Sequence, residues 1–315
     1  MLFQKSIGET DYLVKTHRVF TDESRINHRY VVFCELSVIH RRTNSESMKY
    51  EKINMLPIKK IVENNPFIKT FYFEHQLKAK PGQFVWLWLP GVSERPFSVG
   101  YQSADEFALT IARVGNTTAK IFELKEGDKA GIKGPYGTFY EAGQSKSIVL
   151  VGGGYGSAPL SFFATEIIKK NPQAGIDFII GAQTKNMFFI KPENFDQKIK
   201  FHFTTNDGSF GTKGFVTDAL EKLLSESKID YIATCGPEIM QLKIIELAEK
   251  YQVECQISLE RYMKCSNGIC GQCVVDPLGI RMCTEGPVID RKLARQITEF
   301  GKYHRGAAGE KILFT

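Results

Sequence analysis

The sequence has no uninterrupted hydrophobic run long enough to read as a membrane span. Its most apolar window, SIVLVGGGYGSAPLSFFATEII (residues 147–168), is broken by clustered glycines. They suit a strand, a tight loop and a helix better than a span. The N-terminal MLFQKSIGETDYLVK lacks the apolar core of a signal peptide, so a cytoplasmic protein is expected. A concentrated basic stripe is also missing. The 41 Lys and Arg are scattered among 35 Asp and Glu, for a net charge of +6. That is a weakly basic surface rather than a nucleic-acid footprint. Repeats and low-complexity tracts are absent, as are a Ser/His/Asp set and paired carboxylates, so no side-chain acid, base or nucleophile is expected to carry the chemistry.

What remains is an ordinary soluble composition, 43% hydrophobic and 24% charged over 315 residues, enough for two or three domains. Seven cysteines in a reducing compartment read as ligands or buried residues rather than disulfides. Four zones follow along the chain. Residues 1–55 hold His17, His28 and His40 and a strand-like run, YVVFCELSVI, with Met48 and Met55 near their end. They read as an extension of unknown role. Residues 56–143 look all-β: PIKKIVENNPFIKTFYFE gives two strands about an Asn-Asn-Pro turn. GQFVWLWLP, RPFSVGY and EFALTIARV follow, then a short helix near residues 117–124 and a Gly-Pro turn. Short strands at regular spacing predict a small antiparallel barrel. Residues 144–255 alternate strands (SIVLVGGG, IDFIIGA, KIKFHFTT, YIATCGP) with helices (SAPLSFFATEIIKK, GFVTDALEKLL, PEIMQLKIIELAEKY), the pattern of a parallel sheet wrapped by helices. Residues 256–315 hold a cysteine cluster and a basic tail.

In that cluster, RYMKCSNGICGQCVVDPLGIRMCTEGPV, Cys265, Cys270, Cys273 and Cys283 are separated by four, two and nine residues. Structural zinc usually shows two short knuckles, and here only Cys270 and Cys273 make one. The first three thiols instead match the C-x4-C-x2-C loop of plant-type [2Fe-2S] ferredoxins. Gly268 and Gly271 would let backbone N–H groups approach the sulfurs. The fourth cysteine departs from the plant pattern. Zinc and four unrelated buried thiols stay open as alternatives. Cys34 and Cys255 read as small buried hydrophobes.

Two further stretches suggest nucleotide binding. VLVGGGYGSAPL places Gly153, Gly154 and Gly156 between a strand and a helix, where amides and a helix N-terminus can meet a pyrophosphate. The same glycines could serve only strand–helix packing. In RPFSVG, Arg95 offers a planar donor for phosphate, Phe97 an aromatic face and Ser98 a hydroxyl. A surface Arg beside a core Phe is the plain alternative.

The order of these pieces, RPFS, GPYG, GGGYG and CGP, resembles the ferredoxin–NADP reductase superfamily. With TTNDGSFGTKGFVTDAL, SLERYMKCSNGICGQC and CTEGPV added, residues 56–315 resemble the electron-transfer subunit of the NAD-linked, two-subunit dihydroorotate dehydrogenase. The resemblance implies a flavin-binding antiparallel β-barrel, a parallel-sheet nucleotide-binding domain and a small C-terminal [2Fe-2S] subdomain. It implies FAD bound by Arg95, Pro96, Phe97 and Ser98, with a phosphate contact at Thr118 and a loop closing the site at Gly134, Pro135 and Gly137. It implies a nicotinamide nucleotide cradled by Gly153, Gly154 and Gly156 and approached by Cys235, and a cluster on Cys265, Cys270, Cys273 and Cys283. Thr117 replaces an expected glycine, and Asn206 replaces the first Asp of an expected Asp-Asp-Gly-Ser.

The implied path runs from a partner subunit carrying FMN and the dihydroorotate site, in a heterotetramer, through the cluster and FAD to NAD. A flavin fits between because it exchanges electrons singly or in pairs. A reductase subunit of a hydrogenase or ferredoxin:NADP oxidoreductase shares these motifs. A zinc-stabilised nucleic-acid module and a structural subunit that has lost its nucleotide are the other readings. No acid follows IDFIIGAQTKN and Lys185 alone is a poor phosphate signal, so NAD and NADP are both open.

Overall fold

The computed structural model describes residues 4–7, 10–13 and 52–314. YVVFCELSVI, Cys34 and the three N-terminal histidines lie outside them. The chain divides into two units, residues 1–49 and 50–315. In the first, β1 (Gln4–Ile7) pairs antiparallel with β2 (Thr10–Leu13), a pairing the sequence pattern did not suggest.

In the second unit, alternation builds the barrel. Along β4 (Ile68–Glu74), Phe71 and Phe73 turn inward while Glu74 is exposed. Phe107, Leu109 and Ile111 do the same along β7 (Glu106–Ala112). Phe73 stacks on Phe107 with ring centroids 5.3 Å apart. With β3 (Asn54–Asn65), β5 (Phe84–Leu89), β6 (Ser93–Gln102) and β8 (Lys129–Tyr136) they close in the order β3-β4-β7-β6-β5-β8. Closure leaves no sheet edge unpaired. The Asn-Asn-Pro turn forms because the Asn65 side chain accepts the Phe67 amide at 2.9 Å. Helix α1 (Asn116–Phe122) plugs the barrel core with Ile121.

The second layer is a seven-stranded sheet. β9 (Ser147–Gly153), β10 (Gly175–Ala182), β11 (Ile199–Thr205), β12 (Thr212–Lys213), β13 (Tyr231–Cys235) and β14 (Glu254–Ser258) run parallel in the order β12-β11-β10-β9-β13-β14. After β14 the chain makes the cysteine loop with a small hairpin, β15 (Val274–Val275) and β16 (Ile280–Arg281). It returns as the antiparallel edge strand β17 (Val288–Asp290). The sequence boundary at 255/256 therefore falls inside β14.

Helices α2 (Ser157–Lys170), α3 (Val216–Glu226) and α4 (Glu238–Lys250) follow their strands. Helix α5 (Arg291–Gln296) and a hairpin of β18 (Tyr303–Arg305) and β19 (Lys311–Leu313) end the described chain. The most apolar window is now explained. Ile148, Val149, Leu150 and Val151 are covered on both sheet faces. Helix α2 is wedged between layers, with Leu160 and Phe163 in the sheet core and Phe162 in the barrel core. Among the described residues no helix is long and apolar enough to cross a membrane.

Candidate functional site

The chain moves outward from β9 through β10 to β12, then returns to β13 on the other side of β9. Ligands of such sheets bind at the strand C-termini where this order reverses. Those C-termini are the glycine run of β9 and Cys235 of β13, with Cys235 in register with Gly152. The glycines divide by role. A Cβ on Gly153 would lie 2.7 Å from Pro237 Cδ, and one on Gly156 2.5 Å from the Cys235 carbonyl oxygen. Both are small because the 235–237 turn packs against them. Gly154, at φ +54°, faces open space instead. Burial, with a smaller contribution from the Glu260 charge, pushes the Cys235 thiol up to about 12. Cys235 thus stands as a neutral thiol at the crevice, suited to packing rather than nucleophilic attack. Cys255, 1% exposed and likewise pushed up to about 12 by burial, is the buried hydrophobe the sequence suggested.

Strand β6 carries Arg95, Pro96, Phe97 and Ser98, paired across β5 at Leu87, Trp86, Val85 and Phe84. Farther along β6, a Cβ on Gly100 would sit 3.4 Å from Ala158 Cβ of α2, so the glycine loop and β6 belong to one packed corner. Thr118 lies in the first turn of α1. Its hydroxyl accepts the Val114 and Gly115 amides, each at 3.0 Å, and donates to the Gly115 carbonyl at 2.9 Å. One donor and two lone pairs are then used, and the side chain shapes its own loop. Gly134 (φ +120°) and Gly137 (φ +79°) both need left-handed backbone. Gly137 lies against the cysteine segment, where a Cβ would be 2.6 Å from the Gly286 oxygen. Thr138 clamps the same place, its amide donating to Gly286 and its hydroxyl to Val288, each at 2.6 Å.

The cysteine loop brings its thiols together in pairs. The Cys270 amide donates to Cys265 Sγ, and the Cys283 amide to Cys273 Sγ, each at 3.4 Å. Burial raises the Cys265 thiol, but the Cys270, Asn267 and Ile269 amides aimed at its sulfur outweigh it and hold it at about 7. Burial and the neighbouring Cys273 push Cys283 up to about 12. Among the described residues no three Cys, His, Asp or Glu side chains gather as ligands of one metal ion. Two pairs, each with N–H groups pointing at sulfur, fit a two-iron cluster in which each iron takes two thiolates. Ser266 stands at φ +58°, just ahead of the left-handed Gly268 and Gly271 turns. Cys273 and Cys283 are buried, whereas Cys270 is exposed beside Ile269, which is 79% exposed.

Sequence reasoning missed what anchors this loop. Arg261, 5% exposed, holds Glu238 with two bonds, at 2.6 and 3.3 Å, and Glu299 with its Nε at 3.0 Å. Glu238 opens α4, directly after the Cys235 turn, and also accepts the Gly301 amide at 2.8 Å. Glu299 meets Arg305, which pairs with Asp276. The loop is thus fastened before Cys265 and after Cys273. Nothing in a sequence separates such charges from solvated ones. Tyr262, next in the chain, lies under Arg95, whose Cζ is 5.8 Å from the ring centroid.

Comparison with known proteins agrees with this geometry. Residues 260–293 match the family model described as the iron-sulfur cluster binding domain of dihydroorotate dehydrogenase B, a span holding all four paired cysteines. The chain is 46% identical to the probable dihydroorotate dehydrogenase B (NAD(+)), electron transfer subunit, of Methanocaldococcus jannaschii, over 84% of this chain and 100% of that protein. It is 42% identical to the like-named Pyrococcus furiosus protein over 77% and 92%. Among solved structures, a chain of an NADH-dependent reduced ferredoxin-NADP oxidoreductase superposes with TM-score 0.70 at 29% identity, covering 78% of this chain and 90% of that one. The cytochrome b5 reductase domain of Ulva prolifera nitrate reductase shares the fold, with TM-score 0.54 at 19% identity over 64% and 93%. The chain belongs to the family of dihydroorotate dehydrogenase B electron transfer subunits, built on the ferredoxin–NADP reductase fold.

Proposed function

We propose that this chain relays electrons between an FMN-carrying dihydroorotate dehydrogenase subunit and NAD, in a cytoplasmic heterotetramer serving pyrimidine synthesis. Cys265, Cys270, Cys273 and Cys283 hold the [2Fe-2S] cluster, β6 holds FAD, and the Gly154–Cys235 crevice takes the nicotinamide nucleotide. Bound there, the flavin exchanges a hydride with nicotinamide and single electrons with the cluster. The protein's own part is binding and orientation. Arg95 offers charge to a pyrophosphate, Gly154 leaves room at the crevice, and the neutral Cys235 thiol packs without reacting.

One observation carries the reading. Both flanks of the cysteine loop are pinned to the barrel, through Tyr262 on Arg95 and Gly286 on Gly137, while Cys270 emerges at the surface. That arrangement suits a relay between an internal flavin and an external partner, because electron transfer weakens steeply with distance. The test is reconstitution. The isolated chain should reduce a dye with NADH yet leave dihydroorotate untouched, and adding the FMN subunit should give dihydroorotate-dependent NADH formation. The likeness to a ferredoxin-NADP oxidoreductase chain favours a second reading. Ferredoxin-dependent reduction of the nucleotide, with no response to the FMN subunit, would select it.

A further inference from the structure

We infer that Tyr262 is a positioning residue of the flavin site: its ring holds the Arg95 guanidinium, so FAD retention depends on the segment that carries the cluster. This rests on the proposed role of β6. Arg95 comes from the barrel and Tyr262 from the loop leading into Cys265, so the contact joins two parts of the relay. At 5.8 Å the guanidinium lies within cation–π reach of the ring.

The contact leaves Arg95 available. A guanidinium has five N–H donors. Among the described residues Arg95 makes one hydrogen bond, from Nη1 to the Glu94 carbonyl at 2.9 Å. The Glu94 carboxylate is taken by Lys133 at 2.7 Å, and no described acid pairs with Arg95. A ring face orients a guanidinium without using its edge donors, and those edges are what bind phosphate oxygens. A carboxylate in the same place would compete with the ligand. Tyr262 is itself held from behind, because Arg261 is locked into Glu238 and Glu299. The ring is therefore a fixed platform beneath a charged, otherwise unpaired side chain.

The test is FAD release from purified holoprotein on serial dilution, read by flavin fluorescence, with iron content and cluster absorption recorded in each sample. Tyr262→Leu should weaken FAD binding about three- to fivefold at unchanged iron content, and Tyr262→Phe should bind as wild type. In an Arg95→Ala background Tyr262→Leu should add nothing. Equal losses in both backgrounds, or a Phe variant as weak as Leu, overturn the inference. If the Leu variant does not fold, Tyr262→Met, unbranched and also without a π face, carries the same comparison. Arg95→Ala with unchanged FAD affinity would instead reject the flavin role of β6. Weakened binding in Arg95→Ala beside a wild-type Tyr262→Leu would reject the positioning role alone.

Discussion

Replacing Arg261 by methionine removes the shared partner of two buried carboxylates, leaving Glu299 the longer Arg305 contact and Glu238 the Gly301 amide. Glu299 is 0% exposed and Glu238 8%, so water cannot readily replace the lost partner. Breaking a buried pair by deleting one member costs about 3–5 kcal/mol, most of it the uncompensated charge left behind. For a domain of this size about 1 kcal/mol moves the midpoint by roughly 2–4 °C. The expected fall in Tm is therefore on the order of 10 °C, measured by circular dichroism on samples matched for flavin and iron. Arg261→Lys should fall between, because one ammonium cannot reproduce the two-bond grip on Glu238 together with the Nε bond to Glu299. Adding Glu238→Gln and Glu299→Gln to Arg261→Met should recover much of the loss. A shift below about 2 °C for Arg261→Met would refute the reasoning, as would a triple variant no better than the single one.

Ser266→Gly should stabilise the cysteine loop by roughly 1 kcal/mol, because an L-residue at left-handed φ is strained; slower loss of cluster absorption in mild denaturant checks it. Gly156→Ala should disrupt the crevice, since its Cβ would meet the Cys235 carbonyl at 2.5 Å, and loss of NADH-dependent dye reduction with retained FAD would report it. Asp230 accepts the Ser147 and Lys146 amides, each at 3.0 Å, and these bonds hold its carboxyl below the usual range. A depressed folded value stabilises fully above the unfolded value of roughly 4 and is lost as pH falls through the folded one. Urea midpoints of wild type and Asp230→Asn should thus differ at neutral pH and converge once the pH has fallen below the depressed folded value.

The barrel and sheet were legible because their strands repeat a burial pattern: Phe71 and Phe73 alternate with polar neighbours, and Ile148 to Val151 run apolar through a strand covered on both faces. The cysteine loop was legible in the spacing of its thiols, which the fold brings together in two pairs. At Thr118 the sequence showed a position but not the bonds of the hydroxyl, which goes to its own loop amides. The glycine run mixed two roles, and only packing against Pro237 and Cys235 separates Gly153 and Gly156 from the open Gly154. Strand β17 spans three residues, too few for a period to emerge. Arg261, Glu238 and Glu299 read as surface charges until the fold buries them together.

The relay itself is tested most directly by Cys270→Ser, measured in the two-subunit complex by dihydroorotate-dependent NADH formation and, in parallel, by NADH-dependent dye reduction. The account predicts that dye reduction at the flavin persists while transfer between subunits is lost together with the cluster's absorption. A Cys270→Ser complex that has lost its cluster yet still couples dihydroorotate to NAD at the wild-type rate would contradict it.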